Sequence, residues 1–192
     1  MLQYIPFYLQ IWSNKKFKSL PNSDCRILYL YLIGNPALTL TGIYNIDIDD
    51  CRLKTRLNDK FDASFDEVSS GKYGINFDKE NEIIWIKSRF ERIPNNKSGK
   101  IIVGVMDELN TIKHPFREEF IKLYHEEIKP YLWRIKGYKL THEEIQSEDF
   151  IINAARIYPD KRSLKGFILN KGISEQRIDE IIAKVLPQWR NE

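Results

Sequence analysis

The chain has 192 residues, of which 42% are hydrophobic, 12% aromatic and 30% charged. This composition is typical of a globular protein and excludes an extensively disordered chain. No apolar run approaches the roughly 20 residues that span a bilayer, and no basic segment precedes the first apolar residues as in a signal peptide. We therefore expect a cytoplasmic protein with no membrane partner, built as one medium domain or two small ones.

The net charge of +3 is concentrated in the first third of the chain. Residues 1–60 contain eight lysines and arginines but only five acidic residues, whereas the remainder contains 22 of each sign. A modest positive charge confined to one part of a protein favours contact with nucleic acid.

The first 18 residues combine apolar and aromatic side chains with a cluster of lysines. We interpret them as an extended lead-in strand that packs on the first helix. For Lys15, Lys16 and Lys18, a solvated surface is favoured over a contact with phosphate.

A helix is predicted to begin at Asn22 or Ser23, since either side chain can cap the free N–H groups of the first turn. Gly34-Asn35-Pro36 ends it, because glycine tolerates positive φ and proline cannot continue the hydrogen-bond ladder. The buried face of the helix is predicted from the spacing i, i+3, i+4, i+7 of Cys25, Leu28, Tyr29 and Leu32.

Further helices and a β-hairpin are predicted up to residue 87. The segments are a short β piece over 40–44, a helix over 47–57, a third helix over 62–70, and strands over 75–77 and 83–87 that flank the hydrophilic tip 78–82. This order is that of a winged helix-turn-helix. The fold class expected is therefore mostly α with a small β-hairpin.

The third helix contains acidic residues and no Arg, Lys, Asn or Gln over 62–70. A recognition helix normally offers such side chains to the edges of bases, and Asp66 and Glu67 would repel phosphate. We therefore expect no sequence-specific readout by this helix.

Five short motifs occur in the order of a known family. They are Leu20-Pro21-Asn22-Ser23, Leu28-Tyr29-Leu30-Tyr31-Leu32, Asn35-Pro36, Thr41-Gly42-Ile43-Tyr44 and Ile83-Ile84-Trp85-Ile86-Lys87. This set resembles the N-terminal winged-helix domain of phage replisome organisers and related DnaD-like replication-initiation proteins. The resemblance covers the first half of the chain and continues more faintly in His114-Pro115, Phe120 and Tyr124. It implies DNA binding, a lead-in strand that joins the wing sheet, and recruitment of a replicative helicase or its loader.

Nine basic residues are the candidate nucleic-acid contacts. They are Arg52, Lys54, Arg56 and Lys60 around the second helix, and Lys87, Arg89, Arg92, Lys97 and Lys100 after the last strand. The second group is interleaved with Phe90, whose ring is expected to stack on a base, a pattern that suits nonspecific or single-stranded binding. A solvated helix and a charged linker are about equally favoured interpretations of the two groups.

The remaining chain is predicted to be helical. A packed helical pair is expected over 101–136, with a break at 111–115, and a small C-terminal module over 137–192 with helices at 147–157, 163–170 and 174–189. The module resembles a short tail of phage replication proteins, in which a Tyr-Pro pair and basic residues precede two helices. Lys161, Arg162 and Lys165 are candidate contacts for an acidic partner or phosphate, although a solvated helix start is favoured.

No enzymatic motif was found. His114, His125 and His142 do not share the spacing of metal ligands, and Cys25 and Cys51 are expected to be reduced thiols of the core. We therefore expect neither catalysis nor a metal or cofactor.

Three functions remain open for a winged-helix domain over 1–100 followed by helical regions. The first is a DNA-binding replication-initiation protein of phage or prophage type, which contacts duplex or single-stranded DNA mainly through phosphates. The alternative is an interaction adaptor whose winged helix does not bind DNA, and a transcriptional regulator is less favoured. Aromatic residues near the N-terminus would fit a homo-oligomer, although packing within the chain explains them equally well.

Overall fold

A computed structural model describes residues 9–96, 98–139, 145, 147–155, 158 and 160–185. These residues form two compact units. The first unit comprises the described residues up to 96 together with 114–120, and the second unit comprises the other described residues. The three-part division at 100 and 136 stays a prediction.

Within the described residues, the first unit contains the first five residues of the helix Phe116–Leu123, together with four complete helices and three strands. They are α1 (Lys15–Lys18), α2 (Ser23–Ile33), β1 (Ile43–Asn45), α3 (Ile48–Thr55), α4 (Phe61–Ser69), β2 (Ile75–Asp78) and β3 (Ile83–Ile86), with 3-10 turns at Leu9–Ser13, Asn58–Lys60 and Phe90–Arg92. A mostly helical protein with a small sheet is thereby confirmed, and the three predicted helices lie within two residues of their expected starts.

The extended conformation expected before the first helix is wrong for the described part of that segment. The side chain of Asn14 accepts the backbone N–H of Phe17 at 3.1 Å, and such a cap begins a helical turn. The turn buries Phe17, whose ring lies 5.7 Å from that of Tyr29. Residues 1–8 lie outside the described residues, and β1 supplies the third strand of the sheet.

Helix α2 forms as its sequence predicts. Asn22 accepts the backbone N–H of Cys25 at 2.8 Å, and the helix ends at Gly34. The positive φ expected at this glycine is wrong, because its φ is −103°. The predicted buried face is confirmed for Cys25, Leu28, Tyr29 and Leu32, which pack with residues of α4 and the sheet in one core.

The sheet is antiparallel with the strand order β1–β3–β2. Ile43 of β1 and Asn76 of β2 both lie opposite Trp85 of β3. Because side chains alternate along a strand, Ile84 and Ile86 join the core, while Trp85 packs against Phe116, with ring centroids 5.6 Å apart.

The second unit is helical throughout its described regular elements. Its helices are α5 (Gly99–Leu109), the last residues of α6 (Phe116–Leu123), α7 (His125–Ile128), α8 (Glu148–Ala155), α9 (Lys161–Leu169) and α10 (Glu175–Val185), with a 3-10 segment at Lys129–Arg134. Helices α8, α9 and α10 correspond to the three predicted for the C-terminal module, and they enclose a core that includes Ile151, Leu164 and Ile178. The ends predicted at 156–157 and 186–189 lie outside the described residues. In the described part of the chain, every helix is too short or too polar to cross a bilayer.

Candidate nucleic-acid interface

Two of the predicted cations on α3 are engaged in ion pairs. The guanidinium of Arg52 donates from both terminal nitrogens to the carboxylate of Asp62, at 2.7 and 3.2 Å. Lys54 lies 2.8 Å from Asp50, which also accepts the hydroxyl proton of Tyr31. Helix α3 begins where Asp47 caps the N–H of Asp50, so acidic residues line its start and basic residues its end.

The Arg52–Asp62 pair is supported by an aromatic ring. The guanidinium carbon of Arg52 lies 4.4 Å from the centroid of Phe61, a distance at which a cation is attracted to the ring face. Hydrogen bonding to Arg52 lowers the pKa of Asp62, and the same bonds raise the pKa of Arg52.

The turn after α3 carries two more of the predicted cations. Arg56 adopts a left-handed conformation, with φ of 55°, where the helix ends, and its side chain is exposed without an ion pair to any described residue. Lys60 lies 3.6 Å from Asp24 and is 69% exposed. Lys54, Arg56 and Lys60 therefore project into solvent, and we call these three residues the basic edge.

The predicted cations after β3 are half-buried and help to hold the fold. The Nε of Arg89 donates to the carbonyl of Thr39 at 3.3 Å, and Arg92 donates to the hydroxyl of Tyr29 at 3.2 Å. Lys87 lies over the ring of Trp85, 5.1 Å from its centroid. The interpretation of Phe90 as a stacking platform for a base is wrong, because its ring is fully buried against Phe120.

The other predicted sites belong to the second unit. Lys97 lies outside the described residues, and Lys100 is exposed in the first turn of α5. Lys161 is the first residue of α9, and its side chain is not among those that the structure describes. Arg162, the next residue, is exposed. Lys165 lies 3.1 Å from Glu175 and 2.7 Å from Asp179 and is only 20% exposed, so it links α9 to α10.

The outward face of α4 is acidic, as its sequence indicates. Asp62 and Asp66 are exposed, while Glu67 accepts hydrogen bonds from the hydroxyl of Tyr73 at 2.6 Å and from Lys72 at 3.2 Å. No described side chain on this helix can read a base in the usual bidentate manner.

A groove of about 450 Å³ lies between the start of α3, helix α4 and the β2–β3 hairpin. Its floor is apolar, and its rim carries five carboxylates and one ammonium group. The floor is formed by Ile48, Phe61, Phe65 and Phe77, and the rim by Asp47, Asp49, Asp62, Asp66, Glu82 and Lys79. We call this feature the acidic groove. Sequence reasoning noted the acidic character of α4 but not the groove, because the three elements that form it are distant along the chain.

Among the described residues, no three or more His, Cys, Asp or Glu side chains are grouped as metal ligands. Comparison of the chain with family models, with curated proteins and with solved structures gave no match.

Proposed function

We propose that this chain is a DNA-binding protein of the replication-initiation type, in which the first unit acts as a winged helix. The observation that supports this most directly is the connectivity. Elements α2, β1, α3, α4, β2 and β3 follow one another in the order of a winged helix-turn-helix, and the hairpin directly follows the third helix of that series.

The basic edge is the proposed contact with DNA. The side chains of Lys54 and Lys60 are more than half exposed in their ion pairs. Such pairs contribute little to stability, so phosphate can replace the carboxylate partners. Among the described residues, Arg56 has no carboxylate partner that phosphate would have to replace. Contacts of this kind position a protein on DNA but read no sequence.

Recruitment of a second replication protein, such as a helicase or its loader, completes the proposal. It rests on the sequence resemblance, and the second unit, with its own core, would provide the surface for that partner. Of the three predicted partner contacts there, Arg162 is the one whose described side chain is exposed, and it would pair with an acidic partner.

A second candidate function, an interaction adaptor that does not bind DNA, is favoured by one specific observation. In a helix-turn-helix protein the recognition helix lies in the major groove. A duplex placed against α4 in this way would meet the exposed carboxylates of Asp62 and Asp66, which repel phosphate.

Fluorescence anisotropy with labelled single-stranded and duplex DNA over a salt series tests the two candidates. The wild type would be compared with Lys54→Ala/Arg56→Ala/Lys60→Ala and with the control Lys113→Ala/Lys122→Ala/Lys129→Ala, which removes three exposed charges from the second unit. We expect binding that weakens with salt, and a slope of log K against log salt that is smaller by about 2 to 3 for the first variant on duplex DNA. The control should keep the wild-type slope.

Other results would reject the proposal. Absence of binding at low salt would favour the adaptor, and equal losses in both variants would exclude the basic edge as the contact. A strong preference for one duplex sequence would favour a transcriptional regulator.

A further inference from the structure

We propose that the acidic groove is the docking site for a basic amphipathic segment of a protein partner. The inference goes beyond the proposed function and does not depend on it, because the basic edge and the groove are separate sets of residues.

The floor of the groove presents apolar surface mainly from Phe77 and Ile48. The rings of Phe61 and Phe65 are stacked at 5.4 Å, and Phe77 meets Phe65 edge-to-face at 4.9 Å. Phe77 and Ile48 are only half-buried, so apolar surface remains accessible. The volume of about 450 Å³ lies within the roughly 300–1,000 Å³ of typical ligand pockets. The apolar side chains of a bound segment would pack here.

The rim selects the charge of the occupant. Asp49, Asp66 and Glu82 form no ion pair with any described residue, and Lys79 is the one cation among the groove's described lining residues. Because five carboxylates share this rim with one ammonium group, it attracts cationic side chains and disfavours acidic ones. Nucleic acid is excluded as the occupant for the same reason, because its phosphates would face these carboxylates.

Helix α4 contains a phenylalanine followed by an aspartate twice. Arg52 lies over Phe61 and forms a two-point pair with Asp62. The same Phe-Asp pair recurs one turn later as Phe65-Asp66, and residues four apart lie on the same side of a helix. Asp66 is exposed and has no such cation among the described residues, so an arginine of the partner would form with its carboxylate the two-point pair that Arg52 forms with Asp62.

Binding of a model peptide to the full chain tests the proposal. The probe is a short fluorescein-labelled helical peptide with arginines on one face and leucines on the other. A second peptide has the leucines replaced by serines, and a third has the arginines replaced by glutamates. The protein variants are Asp66→Lys and, as a matched control, Asp59→Lys, which reverses an exposed charge of the same unit outside the groove. Asp66→Asn serves as a milder variant if Asp66→Lys does not fold.

We expect saturable binding of the arginine-leucine peptide and of neither of the other two peptides. Asp66→Lys should weaken it about tenfold or more, Asp66→Asn several-fold, and Asp59→Lys by less than about twofold. Three results would overturn the proposal. They are the absence of saturable binding, an equal loss in Asp59→Lys and Asp66→Lys, and equal affinity for the serine peptide, which would leave general charge attraction as the cause.

Discussion

The imidazole Nε2 of His114 lies 2.8 Å from Oδ2 of Asp78, and the pair joins the tip of the hairpin to residues 114–120 within the first unit. The Nδ1 of His114 accepts the backbone N–H of Phe116 at 3.1 Å, so the proton is on Nε2, which donates to Asp78. His114 is buried, and the hydrogen bond from it, with further ones from Asn81 and Glu80, holds the pKa of Asp78 well below its usual range.

The substitution Asp78→Asn should therefore destabilise the first unit in a pH-dependent manner. The folded-state pKa of Asp78 is lowered, so its stabilising contribution is present above the unfolded pKa of about 3.9 and is lost as the pH falls through the folded value. In urea denaturation at a series of pH values, the midpoint of the variant should lie below that of the wild type at neutral pH, and the gap should shrink below about pH 4.

The control for this measurement is Asp59→Asn, which also removes one acidic group but from an exposed site. Its urea midpoint should differ only slightly from that of the wild type. A gap for Asp78→Asn that is the same at every pH, or no gap at neutral pH, would contradict a stabilising role for the ionised carboxylate.

Among the glycines, Gly42, directly before β1, is the position at which an added methyl group should reduce stability most. Its φ is +76°, and an added Cβ would lie 2.5 Å from the carbonyl oxygen of Ile86 and 2.7 Å from Cβ of Arg89. Because strained φ and a backbone clash coincide, Gly42→Ala should lower the free energy of unfolding by about 2 kcal/mol or more. Hydrogen exchange measured by mass spectrometry should show faster exchange over residues 75–86, and unchanged exchange there would contradict the expectation.

Local signals in the sequence were sufficient for much of the first unit. The cap at Asn22, the apolar spacing from Cys25 to Leu32 and the stop at Gly34 all act within one or two turns, so helix α2 was predicted with its buried face. The same kind of signal was present at Asn14-Lys15-Lys16-Phe17, where a cap precedes a buried aromatic residue. It was missed because a mixture of aromatic and apolar residues also suits an extended strand.

The candidate site could not be predicted in the same way, because long-range contacts determine it. Arg52 meets Asp62 ten residues away, Asp78 meets His114 across 36, and Arg92 meets Tyr29 across 63. Sequence alone identified these basic residues, but not which carboxylates or hydroxyls would engage them. The resulting split of the predicted cations into an exposed basic edge and a half-buried group depends on the tertiary fold.

Gly166 in α9 should respond to alanine in the direction opposite to Gly42. A Cβ added at Gly166 would have no atom within 4 Å, and the residue is exposed in the middle of the helix. Glycine in a helix interior is less stable than alanine by roughly 0.5–1 kcal/mol, so Gly166→Ala should stabilise the second unit by about that amount. Hydrogen exchange over residues 161–169, measured across a thermal or urea transition, would check this expectation. A loss of stability would contradict it.

The two cysteines should report on opening of the first unit. Cys25 and Cys51 are free and buried in its core, as the sequence predicted, and burial raises the pKa of both thiols, to about 12 for Cys51. Because the thiolate is the reactive form, a water-soluble thiol reagent should label the native protein orders of magnitude more slowly than the denatured protein.

Labelling should then follow the opening equilibrium when reclosing is faster than the reaction. A loss of about 2 kcal/mol in Gly42→Ala corresponds to labelling faster by roughly 30-fold, whereas Gly166→Ala, which alters the second unit, should leave the labelling rate of both cysteines unchanged. Fast labelling of either cysteine in the native wild type would show that its thiol is accessible and would contradict its place in the core.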